Sequence, residues 1–189
     1  MTRPKVQAPD RTIVLVGLMG AGKTCIGKKL AKRLGMAFAD ADDAIEEAAG
    51  RTIPEIFAER GEAAFREGER KVIARLLDKP PHVLATGGGA FMDPGTRAKI
   101  KDGAISIWLR AELDVLLKRT ARRSNRPLLN QGNRRQVMEE LMAKRYPVYA
   151  EADITVDSAD LPADVTVDRV MSALSAYLAG KTPRRALAS

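Results

Sequence analysis

Gly17-Leu18-Met19-Gly20-Ala21-Gly22-Lys23-Thr24 matches the pattern G-x-x-x-x-G-K-[ST] of a phosphate-binding loop. The apolar, β-branched run Ile13-Val14-Leu15-Val16 comes directly before it and predicts a buried strand over Ile13–Gly17. Apolar residues then recur at helical spacing and predict a helix over 23–34. In this order the backbone N–H groups of the loop and the helix N-terminus can point at a phosphate. The stretch therefore predicts a nucleotide-binding protein.

The phosphate loop supplies most of the predicted nucleotide contacts. Lys23 is placed to reach the β- and γ-phosphates, and the Thr24 hydroxyl is placed to hold Mg²⁺. The other predicted contacts in this segment are Gly20, Ala21, Gly22 and Cys25. The alternative is a glycine-rich turn that merely precedes a helix, and the flanking strand and helix argue against it.

Length and composition indicate one globular domain, because 189 residues with a 45% apolar fraction can form one full core. We expect this domain over residues 11–180, with a flexible arm at 1–10 and a flexible tail at 181–189. The single cysteine, Cys25, excludes an internal disulfide and is expected to be a small packing residue. No apolar run approaches the roughly 18 residues of a membrane span. The sequence therefore predicts a cytoplasmic, soluble protein.

The whole sequence has a formal net charge of +8, and one stretch of it is strongly basic. Nine lysines and arginines but only two acids lie between Lys118 and Arg145, both included. No aromatic side chains are interleaved there to stack on bases, which weakens the alternative of a nucleotide-dependent nucleic-acid binder. A basic loop over about 121–133 that covers polyphosphate explains the charge as well. We therefore expect neither a nucleic-acid nor a membrane partner.

Strands and helices alternate along the chain, which predicts a parallel sheet with helices on both faces. The predicted strands are 13–17, 37–40, 82–86, 104–109 and 153–156. The predicted helices are 23–34, 42–49, one that begins at Thr52 with a capping box to Glu55, 62–77, 96–101, 113–120, 134–145 ended by Pro147, and 163–179. Ligands of such sheets bind at the carboxyl ends of the strands. The phosphate loop and the segments that follow the other strands should therefore share one crevice.

Two aspartates, Asp40 and Asp42, end the second predicted strand and can point the same way. One could face the Mg²⁺ shell while the other accepts a hydrogen bond or proton from an acceptor hydroxyl. The alternative is that both are acids favoured at a helix N-terminus. Three further features also have plain structural interpretations: a surface ion pair for Arg66 and Glu69, a turn for Gly87–Gly89, and a cationic helix end for Arg145.

Six separated motifs together resemble the shikimate kinase family in identity, order and spacing. They are Gly17–Thr24, Asp40-Ala41-Asp42, Phe57 with Phe65-Arg66, Thr86-Gly87-Gly88-Gly89, Arg126-Pro127-Leu128 and Arg145. The resemblance covers about residues 11–180 and implies a three-layer α/β fold of the nucleoside monophosphate kinase type. Its five-stranded parallel sheet would have the order 2-3-1-4-5, with a lid at about 121–133. The implied reaction is Mg²⁺-dependent transfer of the γ-phosphoryl group of ATP to the 3-hydroxyl of shikimate.

The resemblance also implies roles for individual residues. Asp42 would bind the shikimate hydroxyls and orient the attacking one, and Asp40 would support the water shell of magnesium. Arg66 and Arg145 would clamp the substrate carboxylate, whose planar shape matches a guanidinium fork. The remaining implied contacts are Phe57, Gly87, Gly88 and Gly89 for shikimate, Arg119 for the adenine face, and Arg126 of the lid for the transferring phosphoryl group. The residues expected to act in catalysis are Lys23, Asp42 and Arg126.

Two positions depart from the family pattern or lie outside it. Cys25 stands where the family commonly has a hydroxyl residue, which predicts modestly weaker nucleotide binding because a thiol is a poor donor. His82, the only histidine, matches no family motif and is expected to be exposed at the start of the third strand. A kinase of the same fold that acts on gluconate or a nucleoside monophosphate is the alternative function. A monomer is expected.

Overall fold

The structure is a computed structural model that describes residues 7–121 and 133–180. The strands are β1 (Thr12–Val16), β2 (Ala37–Asp40), β3 (His82–Ala85), β4 (Ala104–Arg110) and β5 (Ile154–Asp157). The described helices are α1 (Lys23–Leu34), α2 (Ala41–Ala49), α3 (Ile53–Leu77), α4 (Pro94–Gly103), α5 (Leu113–Thr120), α6 (Arg134–Tyr149) and α7 (Ala163–Leu178), with a 3₁₀ turn at Ala90–Met92. None of these helices has the length and apolar character needed to cross a membrane.

Several sequence predictions concern residues outside this description. They are most of the arm at 1–10, nearly all of the lid at 121–133 with its Arg126, and the tail at 181–189.

The sheet has the predicted architecture, because all neighbouring strands are parallel and their order is β2-β3-β1-β4-β5. The central strand β1 is buried along its whole length, with no residue more than 4% exposed. Since successive side chains of a strand point to opposite faces, both faces of the sheet are covered there. This explains why β1 is a continuous apolar run rather than an alternating one. The fold prediction is confirmed, and the carboxyl ends of the strands lie at one edge.

A kink divides α3 into the two helices that the sequence predicts. Thr52 and Glu55 form the expected capping box at its start. Gly61 has φ 76° and ψ 175°, a backbone conformation that is not helical and that residues other than glycine rarely adopt. The rings of Phe57 and Phe65, on either side of the kink, lie 4.7 Å apart between centroids. The kink thus brings aromatic residues from both halves of α3 together.

Gly61→Ala is expected to lower the free energy of unfolding by about 1–3 kcal/mol, because an alanine would have to adopt a strained positive φ. Gly68 in the same helix offers a matched control, since an added Cβ there meets open space and the backbone is helical. Gly68→Ala should stabilise the protein by about 0.5–1 kcal/mol. Urea unfolding measures both variants. Equal stability of Gly61→Ala and the wild type would contradict the proposed role of the kink.

The prediction that Pro147 ends its helix is wrong, because α6 continues through Pro147 to Tyr149. Proline removes one backbone N–H and therefore one helical hydrogen bond, at a cost that packing can offset near a helix end. The Tyr149 side chain is fully buried, and the Ala150 N–H still donates to the Tyr146 carbonyl over 2.9 Å. The extra turn places Tyr149 directly beyond Arg145 on one face of the helix.

The prediction that His82 is exposed is also wrong, because only 4% of this residue is accessible. It begins β3, which lies between β1 and β2, so neighbouring strands cover it on both sides. Its Nδ1 atom is 2.9 Å from the Pro80 carbonyl oxygen and 3.4 Å from the Thr12 hydroxyl. Position at the start of a strand does not lead to exposure when the strand is internal to the sheet.

Candidate active site

Two adjoining pockets lie at the carboxyl edge of the sheet. The larger, of about 490 Å³, is lined by the phosphate loop, the end of α5 and the segment that follows β5. The smaller, of about 290 Å³, extends between α2, α3 and α6. The residues common to both linings are Thr24, Asp40, Asp42, Gly87 and Gly88. The structure therefore brings the separated sequence motifs together in one cleft with two ends.

The phosphate loop holds Lys23 in a bent-back position. The Lys23 ammonium group donates to the carbonyl oxygens of Gly17 at 2.7 Å and Leu18 at 3.0 Å. The loop itself is closed by the Ala21 N–H, which donates to the Leu18 carbonyl over 3.1 Å. The lysine charge thus lies over the same loop whose amides precede α1. This arrangement concentrates positive potential at one end of the larger pocket.

Asp40 links the phosphate loop to the second aspartate. Its Oδ2 atom accepts a hydrogen bond of 2.6 Å from the Thr24 hydroxyl, and its Oδ1 atom accepts from the Asp42 N–H at 3.0 Å. Asp40 is therefore the N-cap of α2, in agreement with its interpretation as an acid favoured at a helix N-terminus, and it also contacts the phosphate loop. The hydroxyl and carboxylate oxygens meet where a hard cation would find its preferred ligands.

The described residues contain no cluster of three or more histidine, cysteine or acidic side chains that could hold a metal ion. Mg²⁺ commonly binds through one or two protein oxygens, substrate phosphates and several waters rather than in a cage of side chains. The Thr24 and Asp40 pair fits that kind of site and does not fit a structural metal centre.

Arg66 and Glu69 are not a plain surface ion pair. Glu69 is only 3% exposed, and its Oε1 atom accepts from Arg66 over 2.8 Å. Burial raises the pKa of the Glu69 carboxyl, and the Arg66 guanidinium opposes this rise. The other oxygen, Oε2, has no hydrogen-bond partner within the part of the chain that the structure describes. The pair holds the Arg66 guanidinium at the wall of the smaller pocket.

Side chains surround the glycine triplet closely. A Cβ at residue 87 would lie 2.9 Å from Oδ1 of Asp42 and 3.1 Å from Oε2 of Glu69. A Cβ at residue 89 would lie 2.6 Å from Cζ of Arg66. Real Cβ atoms essentially never come within 3.0 Å of such an atom, so a larger residue at 87 or 89 would displace the charged ends of Asp42 or Arg66. The absence of side chains in the triplet thus lets the charged groups of Asp42, Glu69 and Arg66 lie next to its backbone.

Arg145 is buried, with 6% of the residue exposed, and it lines the smaller pocket from α6. Its Nη1 atom would be 3.2 Å from a Cβ added at Gly88. The interpretation of Arg145 as an ordinary cation at the end of its helix is therefore wrong, because the residue is buried and the helix continues to Tyr149. Arg66 and Arg145 approach the same glycine segment from different helices, together with Asp42.

Arg119 connects the phosphate loop to the segment after β5. Its Nη1 atom donates to the Gly20 carbonyl at 3.2 Å and to the Ser158 hydroxyl at 3.0 Å, and its Nη2 atom donates to the Ala159 carbonyl at 2.6 Å.

Cys25 is exposed at the larger pocket, so the prediction of a packing role for it is wrong. In the first turn of α1, Ile26 packs into the core and the neighbouring Cys25 faces away from it.

Sequence reasoning missed that Glu69 and Tyr149 belong to this region. Glu69 occupies a core position in the buried stripe Phe65, Glu69, Val72 and Leu76, and an acid at such a position is itself a signal of a buried partner. Tyr149 donates its hydroxyl hydrogen to the Gly88 carbonyl oxygen. The predicted helix end at Pro147 hid that residue from the sequence pattern.

The fold and the cleft define a P-loop phosphotransferase of the nucleoside monophosphate kinase type, with a second pocket lined by two arginines beside the phosphate loop. A family model described as shikimate kinase matches residues 19–175. A protein named shikimate kinase from Paramagnetospirillum magneticum is 62% identical over 89% of this chain and 86% of that protein. One of the same name from Caulobacter vibrioides is 56% identical over 87% of this chain and 82% of that protein.

A solved structure agrees with these sequence relatives. Shikimate kinase from Acinetobacter baumannii in complex with shikimate superposes with a TM-score of 0.84 at 36% identity, over 94% of this chain and 97% of that one. The chain described here belongs to the shikimate kinase family, and the resemblance drawn from its sequence motifs is confirmed.

Proposed function

We propose that this enzyme transfers the γ-phosphoryl group of ATP to the 3-hydroxyl group of shikimate. One observation carries the proposal: Asp42, Arg66 and Arg145 line a small pocket that adjoins the phosphate loop. Shikimate carries hydroxyl groups and one carboxylate on a small ring. A carboxylate that accepts hydrogen bonds and two guanidinium groups are the complementary set for such a molecule.

The larger pocket is the proposed ATP site. The backbone N–H groups of Gly20–Gly22 and the start of α1 are placed to hold the phosphates, and Lys23 can turn from the loop carbonyls toward the β- and γ-phosphates. Arg119 is the proposed neighbour of the adenine face, because its hydrogen bonds to two loops fix the guanidinium plane at that end. Cys25 is the proposed contact of the α-phosphate.

The smaller pocket is the proposed shikimate site. Arg66 and Arg145 would hold the carboxylate, and the backbone of Gly87–Gly89 and the Phe57 ring would line the faces of the ring. Both arginines are partly or fully removed from water, so each would interact with a carboxylate more strongly than on the surface. Asp42 lies at the boundary with the ATP site, where the attacking hydroxyl must be.

Phosphoryl transfer requires mainly in-line positioning and positive charge around the γ-phosphate. Asp42 would orient the 3-hydroxyl and accept its hydrogen bond, while Lys23 would stabilise charge on the phosphoryl oxygens. The resemblance assigns further charge stabilisation and water exclusion to Arg126 in the lid, and that assignment remains a prediction. Excluding water matters because water is itself a competent acceptor.

Mg²⁺ is the proposed metal ion, with the Thr24 hydroxyl as a direct ligand and Asp40 as the partner of its water shell. The 2.6 Å hydrogen bond between these side chains supports this assignment, because it places both oxygens at the phosphate end of the cleft. When bound there, Mg²⁺ would neutralise charge on the β- and γ-phosphates.

We further propose a cytoplasmic monomer that acts without a nucleic-acid or membrane partner. A monomer is supported because one chain supplies both pockets. An exposed cysteine beside the phosphate loop is compatible with a reducing compartment.

A thermal-shift series tests the acceptor, in the presence of Mg·ADP. Shikimate at about 100 times its Kd should add roughly 2.7 kcal/mol of stability, which raises the melting midpoint of a protein of this size by roughly 5–10 °C. Gluconate and nucleoside monophosphates at the same concentration should leave the midpoint within about 1 °C. Stabilisation by gluconate rather than shikimate, together with ADP release only with gluconate, would favour the alternative function.

A further inference from the structure

The hydroxyl group of Tyr149 is a buried polar group that no step above uses. Tyr149 is the last residue of α6 and is fully buried. Its hydroxyl donates to the carbonyl oxygen of Gly88, which belongs to the loop after β3. One side chain at the end of a helix is thus bonded to the middle residue of the glycine triplet.

The same hydroxyl also interacts with Arg145, which lies four residues earlier on α6. Burial raises the pKa of Tyr149 to about 12, and the Arg145 guanidinium opposes this rise through its charge and a hydrogen bond. Because the hydroxyl hydrogen is given to Gly88 and a guanidinium only donates, the Tyr149 oxygen faces Arg145 as an acceptor. The Tyr149 hydroxyl and the Arg145 guanidinium therefore both lie against Gly88, since a Cβ added there would be 3.2 Å from Nη1 of Arg145.

Packing alone accounts for the aromatic ring but not for the hydroxyl group that contacts Gly88. The centroid of the Tyr149 ring lies 5.9 Å from that of the Trp108 ring and 6.5 Å from that of the Phe91 ring, and a phenylalanine would keep these contacts. A buried hydroxyl is costly unless it is bonded. The hydroxyl of Tyr149 is bonded to the Gly88 carbonyl and interacts with Arg145, two groups of the smaller pocket that come from different parts of the fold.

We infer that Tyr149 is a positioning residue for the acceptor site. Its hydroxyl fixes the Arg145 guanidinium relative to the Gly88 backbone and so sets the geometry in which the acceptor carboxylate is held. This inference rests on the proposed function, because it assigns that carboxylate to the smaller pocket.

The inference predicts an effect on binding rather than on chemistry. The carboxylate is remote from the attacking hydroxyl and keeps its charge during transfer, so its contacts are equal in the ground state and the transition state. Loss of such uniform binding raises KM and leaves kcat unchanged. ATP lies at the other end of the cleft, so its KM should also stay unchanged.

Tyr149→Phe is the test, and Tyr146→Phe is its matched control. Tyr146 lies on the same helix and packs on the same Trp108 ring, and its hydroxyl also donates to a backbone carbonyl, that of Ala111. Burial raises the pKa of both tyrosines. Tyr149→Phe should raise the KM for shikimate roughly tenfold, the effect of leaving buried polar groups unpaired. Its kcat and its KM for ATP should stay within about twofold of wild type, as should the shikimate KM of Tyr146→Phe.

A double-mutant cycle separates positioning from a general loss of stability. In an Arg145→Lys background, the Tyr149→Phe effect on the shikimate KM should largely disappear, because the guanidinium group that the hydroxyl positions is absent. The effect of Tyr149→Phe on the melting midpoint should persist in the Arg145→Lys background. If Tyr149→Phe does not fold at the assay temperature, all variants are assayed at a lower temperature at which it folds, and the same rise in KM is expected.

Equal shikimate KM values for Tyr149→Phe and Tyr146→Phe would overturn the inference, and so would a full effect in the Arg145→Lys background. Failure of the proposed function is a different result. In that case the wild-type enzyme itself would show no turnover with shikimate.

Discussion

Lys23→Ala is expected to reduce turnover by on the order of 10³-fold or more, because it removes the cation that stabilises charge on the transferring phosphoryl group. In the structure the Lys23 ammonium group lies on the carbonyls of Gly17 and Leu18, within reach of the phosphate end of the larger pocket. The side chain lines a cleft and is not part of the core. The variant should therefore fold with a melting midpoint near that of wild type.

Lys32→Ala is the matched control for this prediction. Lys32 lies on the same helix, is exposed in the last turn, and loses the same charge when replaced. A coupled assay of ADP release measures both variants at saturating ATP and shikimate. Lys32→Ala should keep turnover within about twofold, as surface changes usually do. If Lys23→Ala kept more than a tenth of wild-type turnover, the phosphate loop would not act as we propose.

The nucleotide half of the cleft could be predicted from local sequence because its signal is contiguous. A buried strand, a glycine loop and an amphipathic helix occur within 23 residues, from Thr12 to Leu34, and the structure has all three. Apolar periodicity likewise gave strand and helix positions to within a few residues. The parallel order of the sheet followed from the family resemblance, since alternation alone does not specify which strands are neighbours.

The acceptor half could be predicted only in part, because its residues meet through tertiary packing. The spacing of Arg66 and Glu69 is common on helix surfaces and does not itself indicate burial, so the only local signal is the place of Glu69 in an apolar stripe. The Tyr149 hydroxyl became visible only when α6 continued past Pro147, against the usual effect of proline. Burial of His82 depended on the position of β3 inside the sheet. Each case was decided by a distant segment.

Arg145→Ala is expected to weaken shikimate binding by about 2–5 kcal/mol, the loss seen when one partner of a buried charged pair is truncated. This corresponds to a Kd for shikimate that is roughly 30- to 4,000-fold higher. Arg145 is 6% exposed and lies against Gly88, so its guanidinium is largely shielded from water. Arg66→Ala should act in the same direction. Isothermal titration with shikimate in the presence of Mg·ADP measures the affinity directly.

Arg135→Ala separates the site effect from a loss of charge on α6. Arg135 is exposed near the start of that helix and pairs with Asp114 over 2.5 Å, outside both pocket linings. Because a surface ion pair contributes about 0–1 kcal/mol, Arg135→Ala should leave shikimate affinity unchanged. Arg145→Lys should recover little affinity, since an ammonium group cannot match the carboxylate with two parallel hydrogen bonds. If Arg145→Ala weakened ATP binding and left shikimate affinity intact, the assignment of the two ends of the cleft would be reversed.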